Sequence, residues 1–258
     1  MDRYFLIAAT LCLLGGVGYS LYAFGAGRFR PGKVNVAAIL GAFALLTAFL
    51  YTRGAVEGSC PLNSLYDVLI FQSWSLLLIY LLVGSTYRLS LLGAFTTPLA
   101  AAFLLAALLF PLDESAHRGI TPPWVEFHAA LSIIAYGALG LAGIAGLMYL
   151  LQERQLKSHK VSSLLYNLPP ITDLAAAITR LLWLGFGLLT VSFTAGFVSQ
   201  MPINNLKFGA SAVIWLLYGA ILLLHRSLAP HRLAGLAVLV FALALLSLPG
   251  IQYLSSRP

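Results

Sequence analysis

Between Leu6 and Leu254 the chain consists of about eight apolar stretches, separated by short loops that hold nearly all of its charge. This pattern restricts the fold more than any motif does, because an apolar segment of roughly 20 residues spans the ~30 Å hydrocarbon core of a bilayer. Apolar residues make up 60% of the chain and charged residues 9%, whereas a soluble domain carries about 25% charged residues. The expectation is an all-α, polytopic transmembrane helix bundle forming a single integral-membrane domain over residues 1–258.

The expected spans are 4–24, 35–52, 64–83, 89–110, 125–151, 177–199, 209–226 and 233–253. Each must be a helix, since lipid offers no partner to an unsatisfied N–H or C=O. Their continuous rather than alternating apolar character excludes a β-barrel. The Phe5 to Phe24 run exceeds the ~7–15-residue core of a signal peptide and is read as a span.

Loop cations set the expected orientation. Arg28, Arg30, Lys33, Arg88, Arg154, Lys157, Lys160, Arg180, Arg226 and Arg232 fall on one side, against Arg3, Arg53, Arg118, Lys207 and Arg257 on the other. The richer side is read as cytoplasmic, with both termini facing outward from a bacterial inner membrane. The net charge of +7 is explained by these scattered cations, and no basic patch interleaved with aromatics points to nucleic acid. Two loops stand out. Pro111 to Trp124 is polar and proline-broken on the outside, and Gln152 to Asp173 on the inside starts as a charged continuation of span five. In the latter, Leu164 to Leu168 reads as a short interfacial segment.

Cys12 lies in a span and Cys60 in a loop, with no CxxC, so both are read as structural. Gly137, Gly140, Gly143 and Gly146 form a strip at intervals of three that permits close helix approach.

An ionisable side chain in a membrane helix costs ~2.5–3.5 kcal/mol at the centre, so each such residue is a functional candidate. Asp67 stands near the outer end of span three, Glu126 and His128 at the outer mouth of span five, and His225 at the inner end of span seven. Asp67 and His128 fall at similar depth. An imidazole can ligate a metal through one nitrogen while the other donates to a carboxylate; the plainer alternative is a histidine wetted by headgroups and a cross-helix hydrogen bond at Asp67. Trp124, close to His128, suits either an interfacial aromatic belt or stacking on a planar ligand. His117, His159 and His231 read as solvated loop residues. No HExxH, phosphate loop or paired intramembrane carboxylates mark a catalyst.

Ordered motifs carry a resemblance. Pro61, Ser64, Tyr66-Asp67, Phe71 and Trp74 are followed by Trp124, His128, Ala135-Tyr136, Gly146, Tyr149-Leu150, Glu153-Arg154, Leu156-Lys157, Leu168-Pro169, Gly185-Phe186 and Leu189-Thr190. Lys207, Trp215, Tyr218 and His225 complete the set. From about Pro61 to Arg232 this order resembles the cytochrome c assembly protein family. Members of the CcsA and CcmC type handle haem on the outer side, under a tryptophan-rich segment flanked by histidines. Here the corresponding stretch, GFVSQMPINNLKF, has no tryptophan, and no second outer histidine follows. The chain therefore resembles the short, eight-span HemX-like or YpjD-like branch.

The resemblance implies haem as a cofactor, with His128 matching a flanking ligand and His225 a histidine tied to a transmembrane haem site in some members. Span length sets these two roughly 30 Å apart, too far to share one iron. Three functions stay open: a non-catalytic haem-handling assembly protein; a cofactor-free regulator or scaffold reaching haem-biosynthesis proteins through Arg154 to Lys160; and a small-solute transporter. The last would need more polar groups at mid-membrane than Asp67 offers. The expected partners are the lipid bilayer, haem, and other cytochrome-assembly or haem-biosynthesis proteins.

Overall fold

The computed structural model describes residues 2–26, 33–58, 60, 62, 64–87, 90–109, 122–158, 169–198 and 205–255. They form eight α-helices, with no strand among the described residues: α1 (Asp2–Gly25), α2 (Lys33–Glu57), α3 (Leu65–Tyr87), α4 (Ser90–Leu109), α5 (Pro123–Lys157), α6 (Ile171–Val198), α7 (Asn205–Leu224) and α8 (Pro230–Ser255). Seven of the eight have the length and composition to cross a bilayer. In α7, 20 residues long, the described side chains form an apolar run over Gly209–Leu224. Together with the large apolar side chains left on the surface, such as Leu109, Leu223 and Leu246, this makes the chain a multi-pass membrane protein. Its outer faces suit lipid rather than water.

Helix ends follow backbone chemistry rather than the edges of the apolar runs. α2 continues past the expected residue 52 to Glu57 and closes at Gly58, whose φ of 68° is the left-handed cap that glycine adopts without strain. α5 starts at Pro123, where a missing N–H costs nothing, and runs 35 residues to Lys157. Its charged end is tied by the Glu153–Lys157 pair at 2.9 Å. α6 begins at Ile171, six residues earlier than expected, directly after Pro169-Pro170. Arg180 therefore sits inside the helix and not at its start. α7 ends one residue before His225, and the 225–228 turn leads into α8 at Pro230. The polar loop around residues 110–121, the 164–168 segment, His117 and His159 lie outside the described residues.

The chain divides into two compact units, Met1–Ile120 with Leu151–Ile171, and Thr121–Leu150 with Thr172–Pro258. In the first, α1 packs on α2 and α4, and α3 packs on α4 and α2. The core there is aliphatic, built on Leu6, Leu13, Ile39, Leu46, Ile70, Leu76 and Leu91. A buried polar seam crosses it, in which Ser73 donates to the Ala100 carbonyl and Thr97 to Asn35 Oδ1.

In the second unit the glycines set the contacts. A Cβ at Gly146 would come within 2.7 Å of the Ala234 carbonyl oxygen, and one at Gly143 within 3.2 Å of the Phe241 ring, so α5 and α8 meet almost backbone to backbone. Gly185 lets Leu139 of α5 press onto α6 in the same way. Phe186 of α6 lies on Gly219 of α7, and α7 packs on α8. This is the close approach that small residues provide where lipid supplies no hydrophobic drive for association.

Candidate functional site

In the first unit Asp67 is almost wholly buried, at 1% exposure. Ser64 caps α3: its hydroxyl oxygen accepts the Asp67 N–H at 3.2 Å, and the hydroxyl donates to Asp67 Oδ2 at 2.7 Å. The other carboxylate oxygen faces Arg53 Nε at 2.8 Å in an ion pair whose N–H is not aligned on the oxygen. The Arg53 guanidinium also lies 5.4 Å from the centre of the Tyr66 ring, within cation–π range. Sequence reading had counted Arg53 as a loop cation. It reaches Asp67 because α2 runs one turn beyond its apolar stretch.

The second unit holds both candidate ligand histidines. His128, on the second turn of α5, is half-buried and turns its ring onto α6. Its Nδ1 lies 2.6 Å from the Ser192 carbonyl oxygen. A carbonyl only accepts, so Nδ1 carries the proton. The fully buried Ser192 answers by donating its hydroxyl to the His128 carbonyl at 2.9 Å. Ser132, one turn further along α5, bonds to the Ser192 hydroxyl. The ring lies directly over Gly196, where a Cβ would come within 3.0 Å of Nδ1 and 3.1 Å of Cε1. Among the described residues nothing hydrogen-bonds to His128 Nε2.

Trp124 stands one turn before His128, half exposed, and its ring contact is edge-on with Phe127 at 6.2 Å. His225 occupies the turn after α7 and points Nδ1 at the Leu222 carbonyl 2.5 Å away, satisfying one of the orphan acceptors at that helix end. The Trp183 ring meets it edge-on at 6.2 Å. Between these ends, Trp215 of α7 stacks on Phe186 and Phe193 of α6 and donates its indole N–H to Thr190.

α6 serves as a ruler between the two histidines. His225 meets it at residue 183 and His128 at residue 192, about 14 Å along the axis at 1.5 Å per residue. The separation is larger at the rings, since the His128 ring lies over Gly196. It is too far for the two to share one iron. Asp67 has its own partners, Arg53 and Ser64, within the first unit.

The signals for the missed residues were faint. Ser192 and Gly196 form a small-x-x-x-small pair inside an apolar run, and Ser132 lies four residues from His128. Such spacings mark helix contacts without saying which neighbour is met. Among the described residues no group of three or more His, Cys, Asp or Glu could hold a metal ion. An iron brought by a porphyrin needs only axial ligands from the protein. A half-buried imidazole with its proton held on Nδ1 and Nε2 bare is suited to supply one.

The profile of the family described as "Cytochrome C assembly protein" matches residues 62–257. Protein HemX of Brevibacillus brevis is 29% identical over 168 residues, covering 64% of this chain and 62% of that protein. The cytochrome c biogenesis protein CcsA of Synechococcus sp. (strain JA-3-3Ab) is 28% identical over 168 residues, 60% of this chain and 48% of that one. An Azospirillum brasilense protein named only by its 28.8 kDa mass and its nifR3-like 5′ region is 33% identical over 187 residues, 67% of each. The chain thus aligns with about half to two thirds of the length of these relatives. The matched region runs from the cap of α3 through α8 and contains Asp67, Trp124, His128 and His225. The chain belongs to the cytochrome c assembly protein family, in its HemX-like branch.

Proposed function

We propose that this protein serves cytochrome c biogenesis by holding haem at the membrane border without transforming it. His128 is the principal axial ligand in this reading, and His225 marks a second site. One observation carries it: the His128 ring is anchored through one nitrogen while no described residue engages the other. Haem would supply an iron that accepts a nitrogen lone pair. The chain's own share is to present Nε2, to keep the ring from turning, and to flank it with the apolar surface of Trp124 and Phe127. His225 presents its Nε2 in the same fashion beside Trp183. A single strong ligand at each site suits a protein that must let its cargo go.

The reading places the chain in a bacterial cytoplasmic membrane with both termini outside, the His128 end outward and the His225 end inward, in keeping with the loop cations. Its partners would be other cytochrome-assembly or haem-biosynthesis proteins. A cofactor-free regulatory role is the second reading. It is favoured by the end of α5, where Arg154 and Lys157 are exposed on a helix that runs on beyond its apolar stretch.

The test is the absorption spectrum of detergent-purified protein, with and without added hemin, beside His128→Ala and His225→Ala grown identically. A Soret band weakened in one variant assigns the ligand to that end. No band in any sample removes the haem reading and leaves the regulatory one.

A further inference from the structure

We infer that Gly196, Ser192 and Ser132 are positioning residues that fix the tautomer of His128. This deepens the haem reading and rests on it for its biological meaning, but its physical content stands alone. A neutral imidazole has one N–H, and which nitrogen carries it is set by the hydrogen bond the ring is held in. Here that bond runs from Nδ1 to the Ser192 carbonyl at 2.6 Å.

A helical carbonyl is ordinarily shielded on its open side by the side chain four residues on, because Cα–Cβ bonds tilt toward the helix N-terminus. At position 196 there is no such side chain. The imidazole occupies the space a Cβ would need, with Nδ1 and Cε1 only 3.0 and 3.1 Å from it. Gly196 is therefore the gap in α6 through which His128 reaches a backbone oxygen.

The serines close the arrangement. Ser192 has one hydroxyl proton and spends it on the His128 carbonyl at 2.9 Å, so its contact with Nδ1 at 3.1 Å cannot be a competing donation. Ser132 bonds to the same Ser192 oxygen and holds that hydroxyl in place. α5 and α6 are thereby latched reciprocally, ring to carbonyl in one direction and hydroxyl to carbonyl in the other. Nε2 is left as the bare nitrogen. In water a neutral histidine is free to place its proton on either nitrogen, so a locked ring spares a metal-binding step the cost of exchanging tautomers.

The test reads the tautomer directly. Full-length protein carrying ring-labelled 15N-histidine is placed in lipid bilayers at neutral pH, and the His128 signals are found by difference against His128→Ala. The expected result is protonated Nδ1 with bare Nε2. Gly196→Ala is expected to displace the ring and turn this signal into a mixture or into the Nε2–H form. Gly187→Ala, on the same helix with nothing within 4 Å of its added methyl, is expected to leave it unchanged. Should Gly196→Ala not fold, Ser192→Ala takes away the hydroxyl bond to the His128 carbonyl but keeps the Ser192 carbonyl, so it is expected to loosen the ring and add an Nε2–H population to the Nδ1–H one. Wild-type His128 in the Nε2–H form would overturn the inference. A sharp Nδ1–H signal persisting in whichever of these two variants folds would also overturn it. Hemin titration of the same samples separates the two ideas: at least a tenfold loss of affinity in Gly196→Ala supports both. The expected tautomers with no hemin binding in the wild type would uphold the latch and remove the haem reading.

Discussion

Asp67 and His128 are both ionisable side chains in membrane helices, and each is held by a serine, yet the two settings are built to opposite ends. Around Asp67 the set is closed: one oxygen faces Arg53, the other accepts from Ser64, and the carboxylate is 1% exposed. Around His128 the set is left open by one nitrogen, and the ring is only half-buried. A buried charge must be compensated or the helix pair fails. A neutral imidazole can be half satisfied at modest cost because it brings no charge that needs a partner. In the proposed reading Asp67 serves the fold and His128 the site, although by sequence both were ionisable candidates near span ends.

Stability measurements in detergent can break that contrast. The largest effect is expected from Asp67→Ala. It takes away the carboxylate that faces the Arg53 guanidinium, 13% exposed, and removing one partner of a buried pair costs about 3–5 kcal/mol. Thermal unfolding should show a marked loss, partly restored when Arg53→Met is added. A middle effect belongs to Gly146→Ala, whose methyl would press on the Ala234 carbonyl at 2.7 Å, a backbone atom with little room to yield. Overpacking of this kind costs about 1–3 kcal/mol, read in the same melt. The smallest belongs to His128→Ala, which gives up one hydrogen bond to a neutral carbonyl, worth about 1 kcal/mol. If it destabilised the protein as much as Asp67→Ala does, His128 would be a structural residue and the contrast would be void.

The membrane class and all eight helices were legible in the apolar runs, because hydropathy reports which segments can sit in lipid. The ends of the helices were not. α2 reaches Glu57 and α6 starts at Ile171 because Gly58 and Pro169-Pro170 are where the backbone turns, and hydropathy does not record that. This matters for chemistry, since the extra turn of α2 is what brings Arg53 to Asp67. His128 was legible as a candidate from its cost in lipid. Its seat was not, because pairing Ser192 and Gly196 with His128 depends on the rotation of α6 about its axis. An apolar helix with serine, threonine and glycine on several faces leaves that rotation undetermined until its neighbours are known.

The length of α7 has a consequence for the bilayer itself. Its 20 residues, Asn205–Leu224, measure about 30 Å at 1.5 Å per residue, the hydrocarbon thickness of a bilayer. A helix of that length leaves the turn that follows it, with His225 and Arg226, at the level of the headgroups rather than among the acyl chains.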